Sequence, residues 1–491
     1  MDPESPPLLQ PLTTPATNDL AEEIRESGRV VFDLLCRAQC SPEAWPLLNA
    51  SANVRQLADR PEALPVAGMP LSEVLNEAGA FMENGMCNVS HPRYFGYISP
   101  KPHPATVLGD FLGSSLNQTP GAWRAGPSAT AIEIQVLHWL RELFALPPAV
   151  GQLPGGIFTG GGTLANLIAL KLARDRVVGA EVRNKGLSSE QLRVYMSVEG
   201  HFSIGKAMDT LGLGTDNLVL IPTNELGVID VDELEAHVSH DQAAGLKPLC
   251  IVGMAGTTAS GAIDPLNRLA ELSARCGAWF HVDGASGLAM AALPAQRLAM
   301  SGLEAADSIT FDPCKWMFAP FGVGCLLVRD GTALGEAFWS EGHYWEEQGE
   351  LDTFKMNLYG TRQFRSLGLW CFLRNVGAEG YRGYLVGLLH CAQAFRDAVA
   401  ADTRYELLPQ QTHMPIVCFR VAAEQEEESQ LLTRRLVQTC LERDIAYPTV
   451  LEWRGQTFVR LAISNYATTL DDMGAVKAAM DAIMRELSPG Y

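Results

Sequence analysis

The chain has 491 residues, enough to bury a large core and to divide into two or three domains. Hydrophobic residues make up 47% of it and charged residues 19%, the balance of a compact soluble enzyme. A formal net charge of −19 excludes nucleic acid as a default partner, because phosphate binding needs basic patches.

No apolar run reaches the ~18 residues of a transmembrane helix, and the start, Met1-Asp-Pro-Glu-Ser-Pro-Pro, lacks the basic and apolar parts of a secretory signal. Neither a membrane nor export is therefore expected. The 11 cysteines are odd in number, scattered, and form no Cys-x-x-Cys pair. They read as reduced core thiols of a cytoplasmic protein, and no metal site is expected.

Residues 1–18 are rich in proline, threonine and polar side chains and are expected to form a loose arm. Asn18 or Asp19 caps a predicted helix running to about Ala38, with Ile24, Val31, Leu34 and Leu35 among its apolar face. Ser41-Pro-Glu starts a short turn, and Pro70-Leu-Ser-Glu opens another helix. The cluster His91-Pro-Arg-Tyr-Phe-Gly-Tyr97 reads, by itself, as core packing. Pro127 to Leu143 predicts an amphipathic helix, with Ile132, Val136, Trp139, Leu140 and Leu143 at helical spacing.

Gly155-Gly-Ile-Phe-Thr-Gly-Gly-Gly-Thr163-Leu-Ala-Asn166 is a glycine-rich turn entering a helix. Glycines let backbone N–H groups approach an anion, and a helix N-terminus adds a favourable dipole. Thr163 is placed to cap that helix and to offer a hydroxyl to a phosphate. Alone, the same letters also describe a plain tight turn. Val194-Tyr-Met-Ser, Val219-Leu-Ile-Pro and Leu249-Cys-Ile-Val-Gly-Met are short apolar runs suited to buried parallel strands. His201, just before a predicted helix, is by itself a solvated or satisfied histidine. Strands and helices alternate without any repeat, which predicts the α/β class: a mainly parallel sheet with helices on both faces.

Trp279-Phe-His-Val-Asp283 is an apolar run that ends in a carboxylate, with small residues directly after it. Ser308 to Phe311 is a β-rich run stopped by Pro313, and Lys315 sits on the turn that follows. The interval between Asp283 and Lys315 has room for one strand, a helix and the next strand, the repeat of an α/β sheet. Both groups then lie at the carboxyl ends of neighbouring strands, where open α/β sheets bind ligands. Desolvating an ammonium is costly, and a desolvated lysine is what Schiff-base chemistry requires. A carboxylate facing a pyridinium nitrogen and a lysine facing an aldehyde make the constellation of a pyridoxal 5′-phosphate (PLP) site.

With these motifs in this order, the chain resembles the group II PLP-dependent amino-acid decarboxylases: the aromatic-amino-acid, glutamate and diaminobutyrate decarboxylases. The family pattern is close to His-Val-Asp-Ala-Ala-(Tyr/Trp)-Gly and then Asp-Ser-…-(Asp/Asn)-Pro-His-Lys-Trp. Here the corresponding stretches are His281-Val-Asp-Gly-Ala-Ser-Gly287 and Asp307-Ser-Ile-Thr-Phe-Asp-Pro-Cys-Lys-Trp316. The resemblance runs from about His91 into the C-terminal region. It implies the PLP-dependent transferase fold (fold type I, aspartate-aminotransferase-like). An N-terminal helical arm, 1–90, would clasp the partner of a homodimer. A large PLP-binding α/β domain, 91–360, and a small C-terminal α+β domain, 361–491, would follow.

The same resemblance implies roles. Lys315 carries the Schiff base, Asp283 keeps the pyridine nitrogen protonated, and His201 stacks on the ring. Ala285 packs under the ring and Thr258 lies beside it, while Gly162, Thr163, Asp312 and Cys314 complete the cofactor set. Asp264 holds the turn that follows Thr258. Tyr94 and Tyr97 border the substrate pocket, and Trp123, in Asn117-Gln-Thr-Pro-Gly-Ala-Trp123, enters the partner subunit's site. Tyr344, on a polar loop after Phe338, or water guided by His201, returns a proton once CO₂ has left. Arg362 to Trp370 opens a long connecting helix. Arg460 reads either as a structural ion pair or as a group serving the substrate carboxylate, directly or from behind the residues that touch it.

Three departures stand out. Leu164 replaces the usual Glu of the glycine-rich motif. Cys314 replaces the histidine before the lysine, which removes a phosphate hydrogen bond. Gly284 and Ser286 replace an alanine and an aromatic, so the pocket or a subunit contact differs. Beside decarboxylation of an L-amino acid to amine and CO₂, the departures keep open another PLP reaction: decarboxylation coupled to oxidation, C–C cleavage or deamination. A noncatalytic PLP-binding protein is the third reading. The survival together of Lys315, Asp283, His201 and Tyr344 favours an enzyme, a carboxy-lyase. Which amino acid it takes is not legible, because the pocket residues are the ones that depart.

Overall fold

Strands covered on both faces have no solvent side to carry polar residues. β4 (Lys247–Met254) shows this directly, with every residue after Lys247 buried. It belongs to a seven-stranded sheet in a computed structural model that describes residues 17–49, 54–55, 59, 63–187, 191–339 and 351–487. The other strands are β1 (Gly156–Thr159), β2 (Leu192–Ser197), β3 (Leu218–Ile221), β5 (Trp279–Asp283), β6 (Ser308–Phe311) and β7 (Gly324–Val328). Their order is β1-β7-β6-β5-β4-β2-β3.

The pairs β3/β2, β2/β4, β4/β5 and β5/β6 are parallel, whereas β7 runs antiparallel to both β6 and β1. The expectation of a mainly parallel sheet holds for β1 to β6, which all run one way, and β7 is the exception. A parallel return needs a crossover, usually a helix. The segment after β6 forms turns around Lys315 instead, so the chain comes straight back as an antiparallel neighbour. Along β7, Cys325 and Leu327 enter one core while Leu326 and Val328 enter the other. That two-residue period places helices on both faces. Pro127–Leu143 and Leu266–Cys276 lie on one side; Gly162–Val178 and Ser203–Thr210 lie on the other.

A second, antiparallel sheet has the order β10-β11-β9-β8, from β8 (Tyr405–Leu407), β9 (Ile416–Val421), β10 (Thr449–Trp453) and β11 (Gln456–Ala462). Helices Glu426–Glu442 and Leu470–Leu487 accompany it. Residues Pro92–Tyr491 form one compact unit, and a single core runs from Phe318 and Phe372 to Phe395 and Phe419. The two sheets therefore share a core. The long helix Ser366–Ala400 is broken at Gly377, whose φ of 67° and ψ of 174° are non-helical. Its first turn meets helix Pro104–Leu116 where a Cβ on Gly109 would stand 2.7 Å from Gly368 Cα.

The other unit, Met1–His91, contains helices Thr17–Cys40 and Leu71–Glu83 with a 3₁₀ turn at Pro42–Ala44. Arg37 pairs with Glu83 at 2.6 Å. Ile24 and Val31 of the first helix are exposed, and Leu34 and Leu35 are half-buried. No described helix is long and apolar enough to cross a membrane.

Candidate active site

The carboxyl edge of the first sheet gathers Gly160–Thr163 after β1, His201 after β2, Thr258 after β4, Asp283 at the end of β5 and Lys315 after β6. They line one cavity of about 500 Å³ together with Ile98, Ser286, Asp312, Cys314, Phe321 and Tyr359. Thus Lys315, Asp283, His201, Gly162, Thr163, Thr258, Ala285, Asp312 and Cys314, singled out from sequence, meet around a single space.

The glycine-rich turn ends in helix Gly162–Val178, whose N-cap is Gly161 at φ 146°. Thr163 does not cap it: it is the second residue of the helix, past the cap position, and no side chain caps this end. Thr159 does the local work instead, donating its hydroxyl to Gly161 O at 2.9 Å. A Cβ on Gly162 would lie 3.3 Å from Ala285 Cβ, so a side chain there would fill the space in front of the helix N-terminus. Open N–H groups in a concave glycine cradle suit an anion.

Lys315 is half-buried, and its Nζ donates to Ser286 Oγ at 3.1 Å. Its turn is shaped by Asp312, which accepts the Lys315 N–H on its carbonyl and the Cys314 N–H on Oδ1. Cys314 borders the cavity, but its thiol is engaged elsewhere: Sγ donates to Val323 O at 3.1 Å and Pro320 O at 3.2 Å. Burial pushes that thiol's pKa up, with the Asp312 charge adding to it. In this chain the position before the lysine thus holds the returning loop together. The Gly284 departure also has a packing reason. A Cβ there would stand 2.9 Å from both Leu288 Cβ and Thr310 O, closer than a fixed backbone permits.

Behind Asp283 runs a buried hydrogen-bond chain. Trp279 Nε1 and Asp283 fix its direction, because an indole only donates and a carboxylate only accepts. Trp279 donates to Ser308 Oγ at 2.8 Å, and Ser308 Oγ lies 2.8 Å from His281 Nδ1. His281 Nε2 is 3.0 Å from Asn166 Oδ1, and Asn166 Nδ2 donates to Asp283 Oδ2 at 2.8 Å. Burial lowers the pKa of His281 to about 4, against the pull of Asp283. The ring is therefore neutral near pH 7, and its one proton sits on Nε2, facing the amide oxygen. Asn166 Oδ1 also accepts from Thr310 Oγ1 at 2.6 Å. The Ala285 N–H donates to Asp283 Oδ1 at 3.1 Å, so both carboxylate oxygens are held.

A branch of this chain reaches His201. Asn166 Nδ2 also donates to Ser203 Oγ at 2.8 Å, and Ser203 Oγ lies 2.8 Å from His201 Nδ1. The Ser203 N–H points at the same nitrogen at 3.3 Å. Nδ1 therefore accepts, and the proton of the neutral ring lies on Nε2. Burial lowers the His201 pKa; Asp283 opposes the shift, and Lys315 and Lys206 add to it.

Other predicted residues lie outside the cavity lining. Tyr94 is buried with its ring 4.9 Å from Tyr447, Tyr97 is exposed at φ 55°, and Trp123 is half-buried with its N–H on Asp352 Oδ1. Ile98, next to the left-handed Tyr97, lines the cavity instead. Arg460 forms no structural ion pair among the described residues and stands behind the Thr258 turn. It is buried, and its guanidinium donates to Thr258 O at 2.6 Å, Ala259 O at 2.9 Å and Tyr97 O at 3.1 Å. No carboxylate pairs with it among the described residues, so it ties the Thr258 turn to the Tyr97 segment. Asp264 holds the base of that turn, accepting the Ile229 and Met254 N–H groups, and burial pushes its pKa up to about 7. Tyr344 lies outside the described residues.

Sequence reasoning missed Asn166, Ser203 and the Ser286 contact. The signal for Asn166 was an amide inside the otherwise apolar run Leu164, Ala165, Leu167, Ile168, Ala169. A polar residue on such a helix face is buried only with partners.

A family model described as the pyridoxal-dependent decarboxylase conserved domain matches residues 54–422. Among curated proteins, the chain is 29% identical over 480 residues to an aromatic-L-amino-acid decarboxylase of Bacillus atrophaeus, covering 96% of this chain and 97% of the relative. It is 31% identical over 456 residues to tyrosine decarboxylase 2 of Arabidopsis thaliana, covering 89% and 81%. Among solved structures, it superposes on Oryza sativa TDC with PLP and tryptamine at a TM-score of 0.88 and 25% identity, covering 98% and 99% of the two chains.

Proposed function

Because this chain belongs to the pyridoxal-dependent decarboxylase family, a PLP-dependent carboxy-lyase that removes the carboxyl group of an amino acid as CO₂, we propose a division of labour among its own residues. The observation that carries it is the placing of Lys315 and Asp283 around one cavity that opens on a glycine-rich helix N-terminus. That donor set fits PLP: an amine for the aldehyde, a carboxylate for the ring nitrogen, and backbone N–H groups for the phosphate. When bound, PLP supplies a sink for the electron pair left as CO₂ departs.

The rest falls to the chain. Lys315 is the one lysine among the described lining residues, and Ser286 Oγ receives its amine when it is free. Asp283, braced by Asn166 and the Ala285 N–H, would hold the ring nitrogen with a fixed negative charge. His201 offers a flat face and an Nε2–H donor. Gly160–Thr163 would hold the phosphate, and Arg460 positions the Thr258 turn from behind. Ile98, Phe321 and Tyr359 give the cavity an apolar side. Together with the relatives' substrates, that makes aromatic L-amino acids the first class to test. Incubation with PLP and a panel of amino acids is expected to release CO₂ and the matching amine in equal amounts, scored by mass spectrometry. Absence of CO₂ from every amino acid, or aldehyde and ammonia in place of amine, would contradict this reading.

The working form is a homodimer in this proposal. Helix Pro104–Leu116 exposes Leu108, Phe111, Leu112 and Leu116, and helix Thr17–Cys40 exposes Ile24, Val31 and Phe32. Exposed apolar helix faces of this kind are the surfaces that subunits bury against one another. Trp123 then serves the partner's cavity. Light scattering is expected to give twice the chain's mass; full activity from a species of one chain's mass would rule the dimer out. All eleven cysteines are free thiols, which suits a reducing, cytoplasmic setting.

A further inference from the structure

A carboxylate stands where an anion is to be bound. Asp312 turns Oδ1 toward its own loop, accepting the Cys314 N–H at 3.0 Å. Oδ2 faces the other way, and a Cβ on Gly162, the first residue of helix Gly162–Val178, would lie 3.7 Å from it. No hydrogen bond reaches Oδ2 among the described residues.

The charges around the cavity do not balance a phosphate. Among the described residues, its lining carries two carboxylates, Asp283 and Asp312, one lysine, Lys315, and no arginine. His201 is kept neutral by burial. The helix N-terminus adds about half a positive charge. Lys315 would be committed to the aldehyde of the cofactor, and Asp283 to its ring nitrogen. A phosphate with nearly two negative charges would then meet an ionised Asp312 beside the same helix end, and like charges at that range disfavour each other.

We propose that Asp312 takes up a proton as the phosphate of the cofactor enters and hydrogen-bonds the phosphate as a neutral acid, so that cofactor binding is proton-linked. The proposal rests on the decarboxylase reading for the identity of the cofactor and deepens it. Burial already raises the Asp312 pKa, with Asp283 adding to the shift, while Lys315 and the Cys314 N–H oppose it. His201 is the other titratable group within reach of its charge. The sign follows. A site that binds better when Asp312 is protonated is tightest below the free-protein pKa of Asp312. It then weakens by up to roughly tenfold per pH unit above that value, until the pKa of the bound state is passed.

The test is calorimetry on the full-length apo-protein with 4′-deoxypyridoxine 5′-phosphate, which has no aldehyde for Lys315. Titrations near pH 8 in two buffers of different ionisation enthalpy give the protons taken up, with Asp312→Asn measured in parallel. The wild type is expected to take up about one proton more than Asp312→Asn, and the affinity of the variant is expected to vary less with pH. Equal uptake by both proteins would overturn the proposal, because the proton would then sit on the ligand or another group. A tenfold or greater loss of affinity in Asp312→Asn at pH 8 would also overturn it, since the ionised form would then be the binding one. Sulfate, which takes no proton in this pH range, is the second probe: binding to the wild type without proton uptake would refute the proposal without any variant. Failure of both proteins to bind the deoxypyridoxine phosphate would instead refute the PLP reading of the cavity.

Discussion

Lys315→Ala is expected to lower turnover by roughly 10⁴–10⁶-fold, the range seen when a covalent nucleophile is removed. Lys315 is the one lysine among the described lining residues, so no neighbour stands in for it. Its side chain makes one hydrogen bond among the described residues, to Ser286, while the turn is held by backbone N–H groups and Asp312, which the substitution leaves in place. The variant should therefore fold. Borohydride reduction of the PLP-loaded wild type followed by peptide mapping is expected to place a pyridoxyl group on Lys315, and the label should be absent from the variant. A label on any other lysine, or retained turnover, would remove Lys315 from the centre of the mechanism.

For Asp283→Asn the expected loss is about 10²–10³-fold in kcat, the usual worth of one preorganised electrostatic group in an enclosed site. The side chain is 2% exposed, so its charge is poorly screened by water. The amide keeps the size and removes the charge. It also meets a buried network whose direction is set at the far end by Trp279, which cannot reverse. An asparagine can satisfy the Asn166 donor or the Ala285 N–H, but not both, since one of its two polar atoms is itself a donor. One buried donor is then left without an acceptor, at a cost of about 1–3 kcal/mol in stability. Thermal unfolding beside steady-state kinetics separates the two effects. A variant that is destabilised yet turns over at the wild-type rate would show that Asp283 only braces the fold.

Much of this was legible in the chain itself, and the reason is local. Asp283 ends a β-rich apolar run and Lys315 follows the next one, so strand period and a stop at Pro313 were enough to put both at the carboxyl edge of a sheet. The glycine-rich turn before Asn166, the helix Pro127–Leu143 and the alternation of strands and helices are likewise short-range signals. Chemistry carried by adjacent residues survives in one dimension.

What needed the tertiary structure are contacts whose partners lie far apart in sequence. Arg460 was an arginine on a strand, and only its approach to Thr258 and Ala259, some two hundred positions earlier, shows that carbonyls rather than a carboxylate take its guanidinium. The same holds for Asn166 and Asp283, and for Ser286 under Lys315. Thr163 had the right chemistry for a cap and the wrong position by two residues, which backbone angles decide. Sequence determined which reactive groups exist and at which strand ends they sit, because hydrophobic period and turn residues act locally. Tertiary packing decided which oxygens and nitrogens face one another, because a hydrogen bond is settled by distances of a few ångströms that no spacing along the chain encodes.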